Sequence, residues 1–118
     1  MKPKNSERRL YPRIEKELPL AVRANGYDFA TTTENISCVG TYCHVDKYIP
    51  PFTKIMIKLD LPKPFNRKDD NCNVECKGVI VRTEDDHDNG GFNIAVFFNA
   101  IRDTQRQKIS KYISQFLP

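Results

Sequence analysis

Two short constellations in this chain carry side chains suited to gripping an anion. Arg9 and Arg13 stand four residues apart near the N-terminus. A guanidinium presents a rigid fork of donors that matches a phosphate in bidentate fashion, and it keeps its charge at any physiological pH. Further along, Asn35-x-Ser37-x-x-Gly40 lies in the stretch ENISCVG. Its asparagine and serine offer short polar groups on a loop between strands, and its glycine permits a turn conformation closed to most residues.

Chance sets the weight of each pattern. With eight arginines in the chain, an Arg-x-x-x-Arg pair is expected about half a time by accident. It occurs twice, as Arg9 with Arg13 and as Arg102 with Arg106. The second pair falls near a predicted helix start, where a solvated face accounts for it. An Asx-x-Ser-x-x-Gly match is much rarer, at about 0.03 per chain of this composition. Ordinary turn chemistry is the competing account of Asn35, Ser37 and Gly40, because such residues dominate loops.

The charge distribution favours a small anionic ligand. Lys2, Lys4, Arg8, Arg9, Arg13 and Lys16 face only Glu7 and Glu15 in the first sixteen residues, a surplus equal to the whole chain's formal +4. The remainder is neutral, without the spread basic, aromatic-studded face of a nucleic-acid binder, so no nucleic-acid partner is expected. A disordered basic tail is the plainer account of the same block. The 118 residues suit one compact domain, with 39% hydrophobic residues for a modest core. No apolar run approaches the roughly 20 residues of a spanning helix, and no hydrophobic stretch follows the charged start MKPKNSERR. The expectation is a cytoplasmic protein without membrane insertion.

Other reactive residues attract less. Cys72 and Cys76 sit four apart at the entry to a strand, which carries two side chains about 13 Å along one face, too far to share a tetrahedral ion. Reduced, partly buried cysteines are expected at Cys38, Cys43, Cys72 and Cys76. Asp85, Asp86, His87 and Asp88 precede Asn89-Gly90-Gly91 without calcium-loop spacing and read as a solvated hairpin tip. His44 has neither a partner acid nor a nucleophile nearby in sequence.

The elements that must position these residues are mostly strands. Leu18, Leu20 and Val22 alternate up to Asn25-Gly26, a strong hairpin signal, and Tyr27 to Thr33 continue the pattern. A short strand TYCHVD follows, then KIMIKLDL with Ile55, Ile57, Leu59 and Leu61 on one face. A long surface connection from Pro62 to Asn71 leads to CKGVIVR, and the turn EDDHDNGG leads to FNIAVFF. Six short strands in so small a chain predict a closed all-β barrel or sandwich. Ile109, Tyr112, Ile113 and Phe116 then predict an amphipathic helix with Asp103 as N-cap and with Ile113 and Phe116 buried.

Taken in this order, both motifs, the strands between and after them, and GGFNIAVFF followed by a helix resemble the PilZ domain family over nearly the whole chain. The resemblance implies an all-β fold, a six-stranded antiparallel barrel with a C-terminal amphipathic helix. It implies residues 1–17 as a flexible N-terminal arm carrying the Arg-x-x-x-Arg motif and 18–118 as barrel and helix. Function follows as an expectation too: a non-enzymatic bacterial receptor for cyclic di-GMP, with no cofactor. Arg9 and Arg13 would hold phosphate and the O6/N7 edge of guanine, and Asn35 and Ser37 the remaining base and phosphate atoms, with Gly40 shaping the loop. Asn35 departs from the commoner aspartate of the motif. Arg8, directly ahead of the motif, implies an intercalated pair of cyclic di-GMP molecules per chain, and Arg82 stands where many relatives carry a basic residue, although pairing with Glu84 or Asp85 suits it equally. A signal carried by ordering the arm implies an unidentified protein target. Two alternatives stay open: a ligand-independent adaptor on the same barrel, and a small nucleic-acid-binding barrel.

Overall fold

The computed structural model describes residues 11–62 and 73–118. Strand β1 (Pro19–Ala24) and strand β2 (Tyr27–Ser37) meet at Asn25-Gly26, whose φ angles of 47° and 83° are both positive. That backbone shape matches the twist of the flanking strands, and glycine adopts it without a steric cost. Strands β3 (Gly40–Val45), β4 (Lys54–Asp60), β5 (Asn73–Asp85) and β6 (Phe92–Ala100) complete a closed barrel in the order β1-β2-β3-β6-β5-β4. Every pairing is antiparallel, so the six-stranded barrel with a C-terminal helix is as expected. Closure leaves no strand edge unpaired, which a sheet of this size needs.

Alternation along the strands builds the interior. Leu20, Val22 and Ala24 point inward from β1, Ile55, Ile57 and Leu59 from β4, and Ile94, Val96 and Phe98 from β6, all buried. Helix α1 (Asp103–Ser114) adds Ile109 and Ile113 to the same core. It is fixed to β5 by polar contacts as well: Gln105 Oε1 accepts the Glu75 N–H at 3.0 Å, and Lys108 Nζ donates to the Asn73 carbonyl at 3.1 Å.

Two expectations for the helix are corrected. Its N-cap is Arg102, in extended conformation and without a side-chain cap, while Asp103 occupies the first turn. There its carboxylate faces the positive end of the helix dipole. Phe116 is 43% exposed, because the helix ends at Ser114 and the seven-residue spacing from Ile109 no longer holds it on the inner face. Its ring packs edge-on to Tyr112 at 5.2 Å, with the Lys16 ammonium 4.3 Å from its centroid.

The barrel's pairing extends upstream of residue 18. Ile14 and Ile36 exchange both backbone hydrogen bonds at 3.0 Å, and Ile14 is buried. Thr33, fully buried, then makes a clasp. Its N–H donates to the Leu18 carbonyl at 2.9 Å, its Oγ1 accepts the Leu18 N–H at 2.9 Å, and that hydroxyl donates to the Lys16 carbonyl at 2.6 Å. Residues 14–18, the end of the expected arm and the start of the expected barrel, are therefore one stretch laid against β2.

Candidate functional site

A bulge in β2 creates the site. Thr33 pairs with Cys43 but Asn35 pairs with Tyr42, so one extra residue enters β2 between them. Thr33 and Ile36 are both buried, and the two residues between them, Glu34 and Asn35, fall on the outer surface. Bulges re-aim side chains in this way next to binding sites. On that surface Arg13 Nη1 donates to Asn35 Oδ1 at 2.7 Å. Residues 22 positions apart, one from each motif, are thus in direct contact. The Ile14–Ile36 bridge explains it, since it fixes the residues adjacent to Arg13 and Asn35 in register.

The rest of the second motif lies beneath that contact. Ser37 is fully buried, and its Oγ accepts the Val39 N–H at 3.2 Å and lies 3.5 Å from the Gly40 carbonyl oxygen. It was expected to present its hydroxyl to a ligand; in this conformation it braces the β2–β3 turn instead. Gly40 also differs from expectation. Its φ is not in the left-handed region, and what requires glycine is close approach, because a Cβ would overlap the Val96 carbonyl oxygen on β6. The motif shapes the rim through Ser37 and Gly40, and displays Asn35 on it.

The sequence reading missed Tyr42. Cross-strand register places Asn35, Tyr42, Ala95 and Arg82 in one row over β2, β3, β6 and β5. All four are on the outer face, where a second bulge between Ile80 and Arg82 turns Arg82 outward. Tyr42 lies half-buried over the small Ala95, and its hydroxyl donates to Glu84 Oε1 at 3.0 Å. Burial and then that carboxylate raise the Tyr42 pKa, so it stays a donor at neutral pH. Arg82 Nε lies 3.4 Å from Glu84 Oε2. Its Cα is three strand spacings from Asn35, about 14 Å. Arg82 shares the face and pairs with Glu84, as its alternative reading had it, without touching Asn35. The signal for Tyr42 was its position two residues after Gly40, which only the register converts into a place beside Asn35.

Arg8 and Arg9 lie outside the described residues, as does Cys72. Cys38, Cys43 and Cys76 are free and buried. Burial pushes the Cys43 thiol up to about 12 and the Cys76 thiol to about 11. His44 is not alone: contrary to its sequence reading, an acid near in sequence, Asp46, lies 3.9 Å from its Nε2. The β5–β6 hairpin brings the Asp86 carboxylate to 3.3 Å from its Nδ1, with Asn93 Oδ1 also at 3.3 Å. Among the described residues no group of three or more His, Cys, Asp or Glu could hold a metal ion, and no helix is long and apolar enough to cross a membrane.

The chain resembles the Bacillus subtilis inhibitor of motility MotI/DgrA with a TM-score of 0.79 at 18% identity, over 92% of this chain and 51% of that one. It therefore spans about half the length of that relative. It superposes on the PilZ domain of CeSA from a cellulose-synthesizing bacterium with a TM-score of 0.61 at 16% identity, over 89% and 97% of the two chains. For the PilZ domain with c-di-GMP of YcgR from Escherichia coli the TM-score is 0.62 at 13% identity, over 91% and 90%. No curated protein sequence matches significantly. The family model for the PilZ domain matches residues 7–115, a span that takes in both motifs, the whole barrel and the helix, and the chain belongs to the PilZ domain family.

Proposed function

We propose that this chain is a non-enzymatic receptor for cyclic di-GMP, with the ligand seated on the outer face of β2 and β3 between the N-terminal segment and Tyr42. The observation that carries the reading is the 2.7 Å contact of Arg13 with Asn35, which joins the two motifs at one rim. Arg13 exchanges that neutral acceptor for a phosphate or the O6/N7 edge of guanine, a stronger charge-assisted partner. Asn35, released, turns its amide to the base edge. Arg9 supplies the second guanidinium of its motif, and Arg8 a third that favours two stacked ligands per chain. Tyr42 offers its ring as a platform for a guanine, a contact whose strength comes from the π-face. Ser37 and Gly40 act from below, by holding the turn.

Ordering of the arm around the ligand changes the surface offered to a protein target, and this is how the signal passes on in a cytoplasmic bacterial effector. The likeness to a motility inhibitor and to a domain solved with cyclic di-GMP supports an effector role. Calorimetric titration with cyclic di-GMP tests the reading and its stoichiometry together. Binding with about two ligands per chain, lost in Arg9→Ala and Arg13→Ala while the melting temperature without ligand holds, is the expected result. Retained affinity in both variants removes the site. No binding by the wild-type chain leaves the ligand-independent adaptor.

A further inference from the structure

Apart from the Arg13–Asn35 contact, a second face is built around Met56. In the ring of strands β4 is two places from β2, which carries Asn35, with β1 between them. Met56 on β4 points outward and is 49% exposed. Its cross-strand partners are Arg23 on β1 and Lys77 on β5, and Lys54 and Lys58 flank it two residues away on its own strand. All four are exposed. Glu75, opposite Lys58, and Asp28, opposite Arg23, are the acids nearest this group by register. Arg23 pairs with Asp28 at 3.3 Å, with both side chains largely in solvent; among the described residues no ion pair engages Lys54, Lys58 or Lys77. The chain beyond residue 16 is electrically neutral in sum. The acids Glu84, Asp85, Asp86 and Asp88 gather instead around the β5–β6 hairpin.

We propose that this face of β1, β4 and β5 docks an acidic amphipathic helix of a partner protein. Sheets normally set opposite charges across from each other, because like charges at these separations repel. Here the two residues directly opposite one apolar side chain and the two that flank it on its own strand all carry a positive charge, an arrangement that a carboxylate-bearing partner relieves. The dimensions fit a helix. Arg23 and Lys77 are two strand spacings apart, about 10 Å, and Lys54 and Lys58 about 13 Å. A helix is about 10–12 Å across, so its apolar seam can rest on Met56 while glutamates on either side meet the two flanking cations. Methionine adapts its flexible thioether to such a seam. The cations surround a thioether and not an aromatic ring, which sets the face apart from a single-strand nucleic-acid platform. Charge complementarity of this kind speeds encounter and fixes orientation. This inference needs no ligand at the Arg13–Asn35 site.

The test uses the full chain and a fluorescent 18-residue helical peptide with leucine on one face and glutamate on the other. Saturable binding that weakens with salt is expected, with a loss of about tenfold or more in the Lys58→Glu/Lys77→Glu variant. On the wild-type chain the Met56 methyl NMR signal is expected to shift during the titration, a readout that requires no variant to fold. Equal binding by wild type and variant overturns the proposal, as does an unmoved Met56 signal or the absence of peptide binding. Preferential binding to phosphatidylglycerol vesicles or to an oligothymidine strand also overturns it and reassigns the face. Cyclic di-GMP titration of the same variant is expected to match wild type; its failure in both chains would refute the receptor reading while leaving the peptide result intact.

Discussion

Replacing Thr33 with valine tests whether the segment that carries Arg13 is held as the structure indicates. Valine has the shape of threonine and fits the same fully buried place, but it removes the hydroxyl that joins Leu18 and Lys16 to β2. The Leu18 N–H is then left buried without that acceptor, which costs about 1–3 kcal/mol. The Lys16 carbonyl, less buried, loses a hydrogen bond worth about 1 kcal/mol. The added methyl group returns up to about 0.8 kcal/mol of apolar burial. A net destabilisation of about 1.5–3 kcal/mol results, equivalent to a fall in Tm of roughly 6–12 °C for a domain of this size. Thr33→Ser keeps the hydroxyl and loses less than the valine variant. Chemical denaturation supplies the free energies, and hydrogen exchange at the Leu18 amide reports the clasp directly, with faster exchange in the valine variant. A Thr33→Val chain within about 0.5 kcal/mol of wild type, with Leu18 still protected, would refute the clasp.

Tyr42→Phe keeps the ring and is expected to bind cyclic di-GMP nearly as wild type, whereas Tyr42→Ala loses about 1–3 kcal/mol of affinity by calorimetry. Gly40→Ala forces its Cβ against the backbone of Val96, so denaturant unfolding is expected to show a loss of about 2 kcal/mol or more. With their thiols raised to about 12 and about 11, Cys43 and Cys76 should resist iodoacetamide at pH 8 in the folded chain and react fully in denaturant. The Asn89 side chain, ahead of the other hydrogen bonds, holds the Asp86 carboxyl below its ordinary value of 3.8. Its stabilisation is complete above that value and is lost as pH falls through the lower folded value. NMR titration should find the Asp86 pKa moved up in Asn89→Ala, with the unfolding free energy of that variant less sensitive to acid below about pH 4.

Much of this protein was legible in one dimension because its local rules agree. Alternation in KIMIKLDL and FNIAVFF marked inward residues, since a strand sends successive side chains to opposite faces. Asn25-Gly26 marked a hairpin because few other pairs take its backbone angles. The Asn35, Ser37 and Gly40 pattern was visible as a motif, but its division of labour was not. Burial of Ser37 and the contact of Gly40 with Val96 come from β3 lying between β2 and β6. Phe116 kept the helical spacing on paper after the helix itself had ended.

Residue type and order fixed the barrel, the helix and the two motifs, because propensity, periodicity and turn chemistry act over a few neighbours. Closure of the ring decided the rest. It set Arg13 against Asn35, put Tyr42 and Arg82 in one row, brought Asp86 to His44, and gathered Arg23, Lys54, Lys58 and Lys77 around Met56. Each of these meetings depends on register between strands distant in sequence. A bulge of one residue, such as that before Asn35, changes which side chain faces out, and no short window of sequence records it.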